Sequence, residues 1–76
     1  MKEIVFITGS DCPLCEEAKE LINSTHLSGF NFIEKDIYTS REIYTKYWDK
    51  IPVLLIENRD LCWPFSSEDI KEFTLI

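Results

Sequence analysis

No apolar run in this chain is longer than four residues, so no segment approaches the roughly 20 residues that a membrane-spanning helix needs. The acidic Glu3 argues against a secretory leader, and a cytoplasmic protein is expected. Positive charge is scarce. Eight Lys and Arg stand against fourteen Asp and Glu, a formal net charge of -6, which disfavours contact with phosphate backbones or anionic lipid. Neither nucleic acid nor a membrane is an expected partner. Cysteine occurs three times, an odd count that rules out a fully paired disulfide framework within one chain. Internal repeats, linkers and low-complexity stretches are also missing.

What is there suffices for one domain, residues 1–76, with no room for a second. An apolar fraction of 45%, rich in aromatics, is too high for a disordered chain and implies a packed core. The stretch that organises the rest is Cys12-Pro13-Leu14-Cys15, set between Ile4-Val5-Phe6-Ile7 and a run of helical periodicity. A thiol at the first turn of a helix lies beside unpaired backbone N–H groups and the positive end of the helix dipole, so it ionises more easily. Residues at i and i+3 share a helix face about 5–6 Å apart, within reach of a disulfide after small local adjustment. Pro13 suits the first helical position, where its fixed φ is already helical and its missing N–H costs nothing. The motif therefore predicts a reversible dithiol/disulfide switch. Asp11, Glu16 and Glu17 are anions nearby and partly oppose the ionisation of Cys12.

In chain order, Ile4 to Ile7 is apolar on both alternating faces, as in a central strand covered on both sides. Leu14, Cys15, Ala18, Leu21 and Ile22 then form the apolar stripe of a helix that starts at Pro13 and ends near residues 23–26. Phe30, Phe32 and Glu34 alternate with Asn31, Ile33 and Lys35 as a second strand, parallel to the first. Thr39 to Glu42 fits a capping box, with Thr39 at the N-cap of a second helix over about residues 40–48 carrying Ile43, Tyr44, Tyr47 and Trp48. Ile51-Pro52-Val53-Leu54-Leu55-Ile56 reads as a third strand opening on a proline. After the turn Glu57-Asn58-Arg59-Asp60, Leu61-Cys62-Trp63 returns antiparallel. Ser66 and Ser67 are N-cap candidates for a last helix with Ile70 and Phe73 on its apolar side. The order β-α-β-α-β-β-α predicts an α/β fold, a four-stranded mixed sheet flanked by helices on both faces.

At this point the chain resembles the small glutaredoxin-like proteins of the thioredoxin superfamily, over essentially its whole length. The resemblance rests on Cys12-Pro13-Leu14-Cys15 after the first strand, Ile51-Pro52 opening the third, and the ending Leu61-Cys62-Trp63-Pro64-Phe65. It implies a thioredoxin-like fold and thiol–disulfide oxidoreductase activity on disulfides or glutathione mixed disulfides. Cys12 matches the nucleophile, and Cys15 matches the resolving thiol that attacks the resulting mixed disulfide. Pro52 matches the family's cis-proline, its ring opposite the dithiol, with the backbone of Ile51 pairing with the substrate's main chain. Together with Pro13, Leu14 and Trp63 these residues make up the expected substrate-binding surface. The resemblance implies no tightly bound cofactor, glutathione as a co-substrate, glutathione or a reductase as electron donor, disulfide-containing proteins as partners, and a monomer. Two departures bear on glutathione. Asp11 stands where classical glutaredoxins carry a basic residue, and Trp63-Pro64-Phe65-Ser66-Ser67-Glu68 stands where they place a glycine pair and an acidic residue. Ser67, Glu68 and the N–H groups of the last helix remain candidates to receive a carboxylate.

Other assignments compete with these. Half of a structural zinc site would need two further ligands, and His26 and Cys62 are single residues at unhelpful spacing; no metal is expected. Cys62 reads as a small buried apolar residue on a strand, and His26 as a partner of helix-terminal carbonyls. Trp48, Trp63 and Phe65 belong to the core or to an apolar rim around the thiol, and Tyr38, Tyr44 and Tyr47 to packing. A second functional class is a binding or adaptor module that uses the Ile51-Pro52 and Trp63–Phe65 surface with weak redox activity. A third is cluster or metal binding by two chains through Cys12 with added glutathione, which would show as colour and dimerisation on anaerobic reconstitution.

Overall fold

The computed structural model describes residues 2–25 and 29–75. Strand β1 (Lys2–Thr8) leads into helix α1 (Pro13–Ser24) and strand β2 (Phe30–Asp36). A short 3-10 turn over Ile37–Thr39 precedes helix α2 (Arg41–Tyr47), followed by β3 (Val53–Ile56), β4 (Arg59–Cys62) and helix α3 (Ser67–Thr74). The four strands form one sheet in the order β2-β1-β3-β4. β1 and β2 are parallel, whereas β3 runs antiparallel to both β1 and β4. The expected mixed sheet and element order are those observed.

Alternation along the two inner strands sorts the core into two layers. Ile4 and Phe6 of β1, with Leu54 and Ile56 of β3, pack with Cys15, Ala18 and Ile22 of α1, Ile70 of α3 and Phe65. Val5 and Ile7, with Val53 and Leu55, face the opposite way, towards Ile37, Ile43 and Tyr47. Helices α1 and α3 thus cover one face and α2 the other. Ile4, Ile7, Leu54 and Ile56 have no exposed surface, each worth about 1.5–3 kcal/mol of burial.

Several local expectations are corrected. Ser40, not Thr39, caps α2: its Oγ accepts the N–H of Ile43 at 3.1 Å, because Thr39 is taken up by the 3-10 turn, which Asp36 caps through Tyr38 N–H at 2.9 Å. Phe32 is 41% exposed, since β2 is an edge strand where the cover of α1 thins. Leu14 is 47% exposed and leaves the predicted α1 stripe. Tyr44 and Trp48 are exposed as well; only Tyr47 and Ile43 of that helical pattern reach the core. The β3–β4 turn is shorter than expected. Ile56 pairs with Arg59 across the two residues Glu57 and Asn58, with Glu57 at φ 56, the left-handed geometry that tight hairpins use. β4 consequently ends at Cys62, before Trp63. Among the N-cap candidates Ser66 is the cap of α3, in a reciprocal box with Asp69. His26 lies outside the described residues.

Candidate functional site

The site begins where β1 stops. Gly9 follows the strand, and a Cβ added there would come within 2.8 Å of Ile51 Cδ1, so a side chain at this position would displace the end of the Ile51 side chain. Asp11 turns the chain with φ 51, and Cys12 becomes the N-cap of α1 with Pro13 next to it. The Cys12 carbonyl accepts the N–H groups of Cys15 and Glu16 at 3.1 and 3.2 Å. Cys12 and Cys15 are joined by a disulfide, with their Cα atoms 5.2 Å apart.

The two sulfur-bearing residues differ. Cys15 is 3% exposed and belongs to the core, whereas Cys12 is half-buried at the rim of that same core. Cys12 Sγ accepts the backbone N–H of Cys15 at 3.1 Å. Such a bond, with the helix N-terminus behind it, favours negative charge on the outer sulfur.

Around the disulfide, Ile51 and Trp63 pack on the core cluster that includes Cys15 and Phe65, as Cys12 does. Trp63 meets Phe65 edge to face at 5.1 Å. Pro13 and Leu14 are exposed between the sulfurs. Pro52 is fully buried and follows a cis bond from Ile51; its carbonyl accepts the N–H of Trp63 at 3.0 Å. A second cis bond, Trp63–Pro64, was not foreseen. The β1–β3 ladder reaches Ile7↔Val53 and does not include Ile51. At the start of α3, the Asp69 carboxylate accepts the Ser66 N–H at 2.8 Å, so the chain's own acid sits at that helix end.

A groove of about 590 Å³ runs along the other flank, lined by the end of β1, the first turns of α1 and the end of β2. It brings in Lys19, Glu34 and Asp36, which sequence reasoning missed. The available signal was the parallel pairing itself, whose register sets Asp36 opposite Thr8 and so beside the motif. Lys19 pairs with Glu34 at 3.0 Å, both half-exposed; such a pair contributes about 0–1 kcal/mol and matters here as local charge balance.

Cys62 stands apart from this site. It packs with Val53 and Ile7 on the opposite face of the sheet, and burial first, then the Asp60 carboxylate, push its thiol up against a smaller opposing effect of Lys50, which favours the protonated thiol at neutral pH. Among the described residues, no group of three or more His, Cys, Asp or Glu side chains is placed to hold a metal ion, and no helix is long and apolar enough to cross a membrane.

A family model described as Glutaredoxin-like domain (DUF836) matches residues 3–74. Two solved structures of a structural-genomics target protein, XcR50 from X. campestris, share the fold. The X-ray structure has a TM-score of 0.78 at 24% identity over 92% of this chain and 92% of that one. The solution structure has a TM-score of 0.76 at 24% identity over 96% and 91%. The fold they share is thioredoxin-like. No curated protein matches the sequence.

Proposed function

Since the chain belongs to the glutaredoxin-like domain family, we propose that it is a thiol–disulfide oxidoreductase in which Cys12 and Cys15 cycle between dithiol and disulfide. The observation that carries this reading is the asymmetry of the pair: a partly exposed Cys12 at a helix N-cap, its sulfur held by the Cys15 N–H, beside a buried Cys15.

In the reducing direction the Cys12 thiolate attacks one sulfur of the substrate disulfide. That S–S bond breaks, a Cys12–substrate disulfide forms, and the leaving thiolate takes up a proton. Cys15 then loses its proton and attacks Cys12 Sγ. The Cys12–Cys15 bond forms, the second substrate sulfur leaves as a thiol, and two electrons have passed to the substrate. Thiol reductant, either glutathione or the dithiol of a reductase, returns the pair to the reduced state. No tightly bound cofactor is required.

Substrate would lie against Leu14, Pro13, Trp63 and Ile51. The Ile51 backbone, outside the β1–β3 ladder, offers its N–H and C=O to an extended substrate segment, and buried Pro52 fixes the chain behind it.

Turnover of a small glutathione mixed disulfide by wild type, Cys12→Ser and Cys15→Ser tests the reading. Loss of activity in Cys12→Ser with retention in Cys15→Ser identifies Cys12 as nucleophile and glutathione as able to resolve the intermediate. Wild type inactive on both glutathione mixed disulfides and protein disulfides would leave the adaptor function in its place.

A further inference from the structure

We infer that the site selects disulfides flanked by basic residues on a polypeptide, an inference that rests on the oxidoreductase reading above. The groove flanking the disulfide is lined by four carboxylates, Asp11, Glu16, Glu34 and Asp36, against one ammonium, Lys19. The ammonium is already balanced by Glu34 at 3.0 Å. Asp11 and Glu16 are exposed and directly adjoin Cys12 and Cys15 in the chain. Asp36 spends one oxygen on the N–H of Tyr38 and keeps its charge beside the groove.

The carboxylates act here because both cysteines line the same groove, so a substrate whose sulfur reaches Cys12 brings its flanking residues into their field. Arg41, Lys46 and Lys50 belong to the α2 segment, and α2 packs on the other face of the sheet. The groove beside the cysteine pair is thus net anionic. Glutathione, a net anion at neutral pH, meets like charge there. A disulfide between lysines or arginines meets opposite charge, and the groove of about 590 Å³ is large enough for several residues of such a segment.

The test uses three synthetic peptides with the same loop and one intramolecular disulfide, flanked by lysines, glutamines or glutamates. The rate at which each oxidises the reduced protein is divided by its rate with dithiothreitol, which removes the intrinsic reactivity of the peptide. At low ionic strength the lysine peptide should react about tenfold faster than the glutamate peptide, as expected for a few unit charges interacting through water, with the glutamine peptide between. The ratio should shrink towards one at about 1 M salt, where the Debye length is about 3 Å. The double variant Asp11→Asn/Glu16→Gln should lower the ratio at low salt; using a ratio cancels any change in Cys12 reactivity common to the three peptides. Equal rates for all three, or a ratio insensitive to salt, overturn the inference while leaving the oxidoreductase reading intact. Failure of every peptide to oxidise the reduced protein overturns the inference, and it overturns the oxidoreductase reading as well only if glutathione mixed disulfides also fail to react.

Discussion

The backbone N–H of Cys15 donates to the sulfur of Cys12 at 3.1 Å, a bond that would favour charge on the outer sulfur once the disulfide is reduced. Cys15 keeps its own sulfur in the core, 3% exposed. One turn of helix therefore differentiates two chemically identical groups, and the proposed mechanism uses the more exposed one for attack and the buried one for resolution.

In the reduced protein, Cys12 should be alkylated first, with half of its maximal rate reached below about pH 8.5, the value for an unstructured thiol, and Cys15 at least about tenfold more slowly because it is buried. Mass spectrometry after timed iodoacetamide quenching separates the two sites. A Cys15→Ser variant mixed with a disulfide substrate should accumulate a mixed disulfide on Cys12. Equal labelling of both thiols would contradict the assignment of roles.

Phe65 is 6% exposed and holds Trp63 edge to face. Phe65→Ala should cost about 3–5 kcal/mol in urea denaturation, a large share of what so small a domain has. Trp63→Ala removes a half-buried ring, so its stability loss should be smaller, and its main effect should be slower reaction with disulfide peptides. A Trp63→Ala protein reacting at the wild-type rate would remove Trp63 from the substrate surface.

Gly9 and Ile51 should be coupled. A methyl at position 9 would press on Ile51 Cδ1, so Gly9→Ala is expected to cost about 1 kcal/mol through overpacking. Ile51→Val removes the opposing atom. The double variant should be more stable than the sum of the single losses predicts, and additivity within about 0.5 kcal/mol would show that the two do not interact.

Alkaline pH should weaken the fold. Burial is the first cause that raises both the Cys62 thiol and the Tyr47 phenol above their ordinary 9.0 and 10.0; the Asp60 carboxylate adds to it, and at Tyr47 Lys46 partly offsets it. Because the folded state holds each proton more tightly than the unfolded state, the stabilising contribution is complete below those ordinary values and is lost as pH rises through the folded ones. The urea midpoint should be flat from pH 7 to about 8.5 and fall above it, and Cys62→Ala should delay the fall. A midpoint rising above pH 9 would have the wrong sign.

The sequence alone determined the architecture and the cysteine pair. Both follow from local rules: the unbroken apolar runs Ile4–Ile7 and Val53–Ile56, bounded by turn residues, fit strands buried on both faces, and Cys12-Pro13 after a turn fits a helix N-terminus. The sequence offered Ser66 and Ser67 alike as caps of the last helix, and the structure selects Ser66, in its box with Asp69. Tertiary structure alone decided which aromatic residues the core would take. Helical spacing offers Tyr44, Tyr47 and Trp48 equally, but the sheet face is wide enough to bury only Tyr47. It alone set β2 at an edge, exposing Phe32, and placed Cys62 on the face away from Cys12. It also brought Asp36, from another strand, beside Asp11 and Glu16, since the parallel register that aligns Thr8 with Asp36 is a pairing between distant segments. Groups that meet only through such pairing leave no mark on local sequence, which is why the thiols and the adjoining Asp11 and Glu16 were legible and the charge added by Glu34 and Asp36 was not.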